Sequence, residues 1–225
     1  MNTGLTECVF ILDRSGSMGG LESDTIGGFN SLLAKQQTEP GECRITTVLF
    51  DNYYEVLHDR IDLKAVKPLT EEEYFVRGST ALLDAIGSTI NKIASVQKHT
   101  APEYRAEKVL FVITTDGMEN SSREFSHKKV KAMIERQKRK YGWEFLFLGA
   151  DIDAVDVANS IGIAGSRAQN FHKDREGIAL NYSVIGGAIA SFRKAQRGAK
   201  LDDDWSADIE ADYRRRGGKR SQATR

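Results

Sequence analysis

The chain has 225 residues, 40% hydrophobic and 28% charged, which suffices for one globular domain of generous size and is too short for two ordinary ones. Thirty-two Lys and Arg balance thirty-two Asp and Glu, excluding a whole-chain polycation for nucleic acid and an acidic solvating polymer. No apolar run approaches the about 18 residues that span a bilayer, the first residues carry no basic or apolar leader pattern, and Cys8 and Cys43 are too few for a disulfide scaffold; the expectation is a reduced, cytoplasmic protein with no membrane anchor.

Short apolar runs alternate with longer segments of helical periodicity, the pattern of an α/β domain with a mostly parallel sheet and helices on both faces. Cys8 to Leu12 is the first strand and ends at Asp13. Leu21, Ile26, Phe29, Leu32 and Leu33 predict a helix over 20–37, closed by Pro40-Gly41. Arg44 to Phe50 is a strand, and after the turn-like Asp51-Asn52 the run Tyr53 to His58 returns as an antiparallel edge strand. Residues 60–77 read as irregular. Leu82, Leu83, Ile86, Ile90 and Ile93 mark a helix over 81–98. Lys108 to Thr115 is the strongest strand, continuously apolar and so covered on both faces, and it ends at Asp116-Gly117. A helix over 125–140, the strand Phe145 to Leu148, a short helix over 153–161, an edge strand over 168–171 and a helix through Ile178, Tyr182, Ile185, Ile189 and Phe192 complete the domain, residues 1–198.

Composition changes after Gly198. Residues 199–225 hold six acidic side chains between Asp202 and Asp212 and six basic ones from Arg214 onward, with Trp205 and Tyr213 at either end of the acidic half. This reads as a charged, flexible tail.

Two strand ends carry the chemistry: Asp13-Arg14-Ser15-Gly16-Ser17 and Thr115-Asp116-Gly117. Ligands of open parallel sheets gather at the carboxyl ends of strands where the strand order reverses. Thr80 sits on a loop opening another helix, so three hydroxyls and two carboxylates are candidates to converge. Five oxygens with no soft donor suit a hard cation, Mg²⁺ or Mn²⁺.

Asp13-x-Ser15-x-Ser17, then Thr80 within Gly78-Ser79-Thr80-Ala81-Leu82-Leu83-Asp84-Ala85, then Thr115-Asp116-Gly117, together resemble the von Willebrand factor A domain with a complete metal-ion-dependent adhesion site, in its compact bacterial single-domain form. The resemblance spans roughly residues 5–196. It implies that Ser15, Ser17 and Thr80 are the hydroxyl ligands, that Asp13 and Asp116 supply charge directly or through water, and that a partner protein presents an Asp or Glu to the metal. It further implies a binding module; the lack of any His, Lys or Cys on the motif loops argues against an enzyme, and the balanced charge and the absence of long apolar runs leave nucleic acid and membrane out of the expected partners.

Blander readings stand beside these. Ser15, Ser17 and Thr80 also suit helix capping. Asp84 is either an acceptor ordering the site or a carboxylate near a positive helix end. Glu119 is either a rim charge that selects partners or part of a solvated loop. The basic helix over 125–140 carries seven Lys and Arg, as a binding face or, more commonly, a solvated one. Cys8 and Cys43 read as buried free thiols. The rival function is a Mg²⁺ phosphohydrolase of haloacid dehalogenase type, with Asp13 as nucleophile, but Ser15 stands where that mechanism wants a second Asp.

Overall fold

The computed structural model describes residues 4–218. Six strands, β1 (Thr6–Asp13), β2 (Cys43–Phe50), β3 (Tyr54–Asp62), β4 (Lys108–Thr115), β5 (Glu144–Gly149) and β6 (Ala168–Asn170), form one sheet in the order β3-β2-β1-β4-β5-β6. All pairings are parallel except β2 with β3 at the edge, as the sequence pattern predicts. The helices are α1 (Glu22–Gln37), α2 (Leu82–His99), α3 (His127–Tyr141), α4 (Ala154–Ser160), α5 (Arg175–Lys194) and α6 (Ala207–Arg215). Among the described residues no helix is long and apolar enough to cross a membrane.

β1 and β4 are buried along their whole length. Alternation then sends successive side chains into two cores. One face of the sheet packs Phe10, Leu12 and Leu110 against α1 and α5, with Phe10 edge-on to Phe29 at 5.2 Å. The other packs Val9, Ile11, Phe111 and Ile113 against α2 and α3, where Trp143, Phe111 and Phe145 stack in series at 5.4 and 4.9 Å. Caps fix the helix starts: Ser126, Asp153 and Asp174 each accept a backbone N–H of the turn that follows. Gly142, at φ 66°, ends α3 in the left-handed conformation. Cys8 and Cys43 are buried free thiols with sulfurs 3.6 Å apart on neighbouring strands.

The edge strand β3 runs beyond His58 to Asp62, further than its sequence signal. Its pairing with β2 shifts register across a bulge, and Arg60, at φ 51°, turns its guanidinium onto the buried Glu7 at 2.7 Å.

The stretch after 198 is not a free tail over its described part. Leu201, Trp205 and Ile209 are buried in the core beside α5. Trp205 Nε1 donates to the Ser166 carbonyl at 2.9 Å, and Arg167 reaches the Leu201 carbonyl at 2.6 Å and Asp203 at 2.6 Å. The physical reason is three apolar side chains inside an acidic sequence, Leu201 and Trp205 on the loop and turn that lead into α6 and Ile209 on its inner face, which together offer enough apolar surface to dock on α5. Residues 219–225, also included in the expected tail, lie outside the described residues. We expect Trp205→Ala to destabilise the domain by about 3 kcal/mol, lowering the melting temperature by about 8 °C. Thermal denaturation followed by circular dichroism checks this, and an unchanged midpoint would show that the docking contributes nothing.

Candidate metal centre

Because β1 pairs directly with β4, the chain leaves the sheet at Asp13 and Thr115 side by side, at the point where strand order reverses. Asp13 is buried, and each of its oxygens has a partner. Oδ1 accepts the Ser15 N–H at 2.7 Å, and Oδ2 accepts the Thr115 hydroxyl at 2.5 Å. Ser17 donates its hydroxyl to Asp116 Oδ1 at 2.5 Å, and the Ser15 and Ser17 hydroxyl oxygens are 3.0 Å apart.

Gly117 shows where the hydroxyls converge. A Cβ added there would lie 3.1 Å from Thr80 Oγ1, 3.2 Å from Ser17 Oγ and 3.9 Å from Ser15 Oγ. Three hydroxyls therefore surround one small volume that the glycine leaves open. All five residues singled out from the sequence are brought together.

Neighbouring residues set the loops. Arg14, between two site residues, is fully buried: its Nε meets Asp51 at 3.0 Å, and its Nη1 donates to the Glu73 carbonyl at 3.1 Å. Its backbone is held as well, the N–H by the Phe50 carbonyl at 2.8 Å and the C=O by Arg77 N–H at 2.9 Å. Asp51 also receives Arg77 Nε at 2.7 Å, and its carbonyl accepts Ala81 N–H at 2.9 Å, so one acidic residue ties the first motif loop to the second. Tyr74 donates its hydroxyl to the Asp13 carbonyl at 2.6 Å. Thr80 and Asn120 exchange two hydrogen bonds, Thr80 N–H to Asn120 Oδ1 at 2.9 Å and Asn120 N–H to the Thr80 carbonyl at 3.1 Å. The residue preceding α2 is Ala81, so the Thr80 hydroxyl is not used for capping.

Two acidic residues order the loops around the site, Glu119 otherwise than its sequence readings and Asp84 as the acceptor that one of its readings offered. Glu119 is neither a rim charge nor solvated. Its carboxylate turns inward, accepting Leu83 N–H at 2.9 Å and the N–H groups of Ser121 and Ser122 at 3.0 and 2.7 Å, and so caps α2 from a distant loop. Asp84 accepts three consecutive N–H groups, Arg123, Glu124 and Phe125, at 2.7 to 2.9 Å. It orders the segment between Asp116 and α3.

Lys173 is the residue that sequence reasoning missed. It lies on the loop between β6 and α5, and its Nζ stands 2.8 Å from Asp116 Oδ2 and 3.8 Å from Asp151 Oδ2. The ammonium is close enough for an ion pair yet out of line for a hydrogen bond, and Asp116 Oδ2 stays buried without one. The signal was available: Lys173 follows the carboxyl end of a parallel strand, the same edge that drew attention to Asp13 and Asp116. Burial pushes the Asp13 carboxyl up to about 6, the hydrogen bonds from Thr115 and Ser15 oppose that rise, and the nearby Asp116 charge adds to it.

The donor set is all oxygen. Among the described residues no group of three or more His, Cys, Asp or Glu side chains gathers anywhere. Two carboxylates and three hydroxyls around a small volume, with one carboxylate oxygen that has an ammonium beside it but no hydrogen bond, fit a hard divalent cation.

No protein-family model matches the sequence, and no curated protein matches it. Solved structures do. The vWF domain of the type V pili tip protein Mfa5 from Porphyromonas gingivalis is 12% identical with a TM-score of 0.56, covering 89% of this chain and 99% of that one. Proximal thread matrix protein 1 from the mussel byssus, in a form with a zinc-occupied MIDAS motif, is 13% identical with a TM-score of 0.55 over 84% of this chain. A von Willebrand factor type A protein from Catenulispora acidiphila is 13% identical with a TM-score of 0.54 over 81% of this chain. The chain spans 46% and 42% of the length of the mussel and Catenulispora chains. At these identities the likeness is one of architecture: this chain has the von Willebrand factor A fold.

Proposed function

We propose that the crevice between β1 and β4 holds Mg²⁺ or Mn²⁺ through Asp13, Ser15, Ser17, Thr80 and Asp116, and that the chain is a metal-dependent protein-binding module. Its ligand is an Asp or Glu side chain of a partner. The observation that carries this reading is the convergence of the Thr80, Ser17 and Ser15 hydroxyls on the open volume above Gly117, beside two buried carboxylates. The mussel protein of like fold with zinc at the corresponding motif supports divalent-metal binding, and the pilus tip protein of like fold supports an adhesive role. When bound, the cation supplies an open coordination position for an oxygen anion.

The residues divide the work. Asp13 and Asp116 provide the two formal charges, and the three hydroxyls provide neutral oxygens that leave the cation electrophilic. Lys173 cancels part of the Asp116 charge, which weakens the hold on the cation and leaves the crevice more attractive to an incoming carboxylate. The phosphohydrolase reading is disfavoured because both oxygens of Asp13, its required nucleophile, accept hydrogen bonds from Ser15 and Thr115. Those bonds fix the carboxylate for electrostatic duty.

Saturating Mg²⁺ should raise the melting temperature, by an amount set by occupancy. Asp13→Ala and Asp116→Ala should abolish that rise. Thr80→Ala should reduce it while costing about 1 kcal/mol without metal. A metal-dependent rise that survives all three changes would place the cation elsewhere.

Asp13 also predicts a pH dependence. In chelator its folded pKa, about 6, lies above its ordinary value of 3.8, so its contribution to stability is full below pH 4 and is lost as pH rises through 6. Denaturant titrations across that window should show this slope in the wild type and not in Asp13→Asn. The carboxylate form is the one that binds cations, so the apparent Mg²⁺ affinity should fall as pH drops below about 6.

Lys173→Met should lower the melting temperature in chelator, since Asp116 loses its counter-charge. It should tighten Mg²⁺ binding about tenfold. Calorimetric titration of both proteins reads the second effect, and equal or weaker affinity in the variant would refute this role for Lys173.

A further inference from the structure

At the amino edge of the sheet, opposite the motif loops, the C-terminal halves of α2 and α3 part over a cleft of about 710 Å³. That is within the range of small-molecule sites. Its floor is apolar and rigid: Ile90, Val109 and Trp143 are buried, with Ala94 and Met133 beside them. Trp143 is held by its stack on Phe111, which stacks in turn on Phe145.

The rim has the opposite character. Lys98, Arg105, Arg136, Lys140 and Arg197 face one carboxylate, Glu107, whose Oε2 accepts the Gly4 N–H at 2.7 Å. Among the described residues none of these five cations stands in an ion pair. In a chain whose charges cancel, such an imbalance is local. Complementing the negative helix ends accounts for Lys98 and Lys140. It does not account for Arg136 and Arg197. Arg105 is fixed by the carbonyls of Thr100 at 2.7 Å and Lys98 at 3.2 Å, neutral partners that leave its charge uncancelled.

A second observation points to a ligand independently. Gln137 lines the cleft, is 6% exposed, and its side-chain oxygen has no hydrogen-bond partner. Buried amides are ordinarily satisfied, and an amide oxygen that is not marks a place for a missing N–H or O–H donor. The basic helix noted in the sequence thus gains a specific face: Arg136 and Lys140, one turn apart, overlook an apolar floor with an unsatisfied amide.

We infer that this cleft is a second binding site, for a small amphiphilic anion: an apolar body lying on Ile90, Met133 and Trp143 and carrying an N–H or O–H donor for the Gln137 oxygen, and a carboxylate, sulfonate or phosphate among the rim cations. The site is separate from the metal crevice and does not depend on it.

The test is fluorescence titration of the full chain, in chelator, with 1-anilinonaphthalene-8-sulfonate, competed by dodecanoate and by dodecyltrimethylammonium. Saturable one-to-one binding is expected, displaced by the anionic chain and not by the cationic one. Arg136→Glu with Lys140→Glu, both at exposed positions, should weaken the dye at least tenfold. Ala94→Trp, which fills the floor, should remove binding, with the melting temperature of each variant reporting that the fold is kept. Non-saturating binding, equal competition by both chains, or indifference to the charge reversal in a folded variant would each overturn the inference.

Discussion

Two carboxylates, Asp13 and Asp116, are buried at the ends of adjacent parallel strands, and much of the surrounding structure answers to that constraint. Neither side chain can keep its charge in such a place without help. Asp13 receives a backbone N–H and a hydroxyl; Asp116 receives a hydroxyl and the ammonium of Lys173. The help is incomplete, since burial still drives the Asp13 carboxyl upward and one oxygen of Asp116 has no hydrogen bond. A site built only for stability would close such a gap with a bulkier or better-paired neighbour, whereas here Gly117 keeps it open.

The loops that bear these groups are positioned by a second buried charge pair. Arg14 and Asp51 are both inaccessible to water and meet at 3.0 Å. Desolvation makes such a pair a weak source of net stability, and its value lies in geometry. A planar guanidinium that must satisfy Asp51, Glu55 and the Glu73 carbonyl together admits few arrangements of the chain. Since Arg14 lies between Asp13 and Ser15, the backbone that presents both is fixed by the same bonds.

The sequence exposed what is local in period or spacing. Parallel strands announce themselves by unbroken apolar runs, as Val109 to Ile113 do, and Asp13, Ser15 and Ser17 declare a common loop by their spacing. Thr80 and Asp116 join them because each adjoins a recognisable element boundary, Thr80 just before a helix and Asp116 just after a strand. What stayed hidden depends on contacts distant in the chain. Nothing near Glu119 signals that it caps a helix beginning at Leu82, and nothing near Arg14 names Asp51 as its partner. The C-terminal stretch was misread for another reason. Its many charges dominate the composition, while Leu201, Trp205 and Ile209, four apart, carry the structural information and were discounted as too few.

The loop that carries Lys173 is short and held at both flanks by the C-terminal helix. The His172 ring packs on Tyr213 at 4.8 Å and its Nε2 lies 3.1 Å from the Tyr213 carbonyl; on the other side of Lys173, Arg216 pairs with Asp174, the residue that caps α5. Residues 172–174 therefore tie α6 to the loop whose ammonium stands beside Asp116. The counter-charge beside Asp116 is thus set by a loop whose place depends on contacts made about forty residues further along the chain.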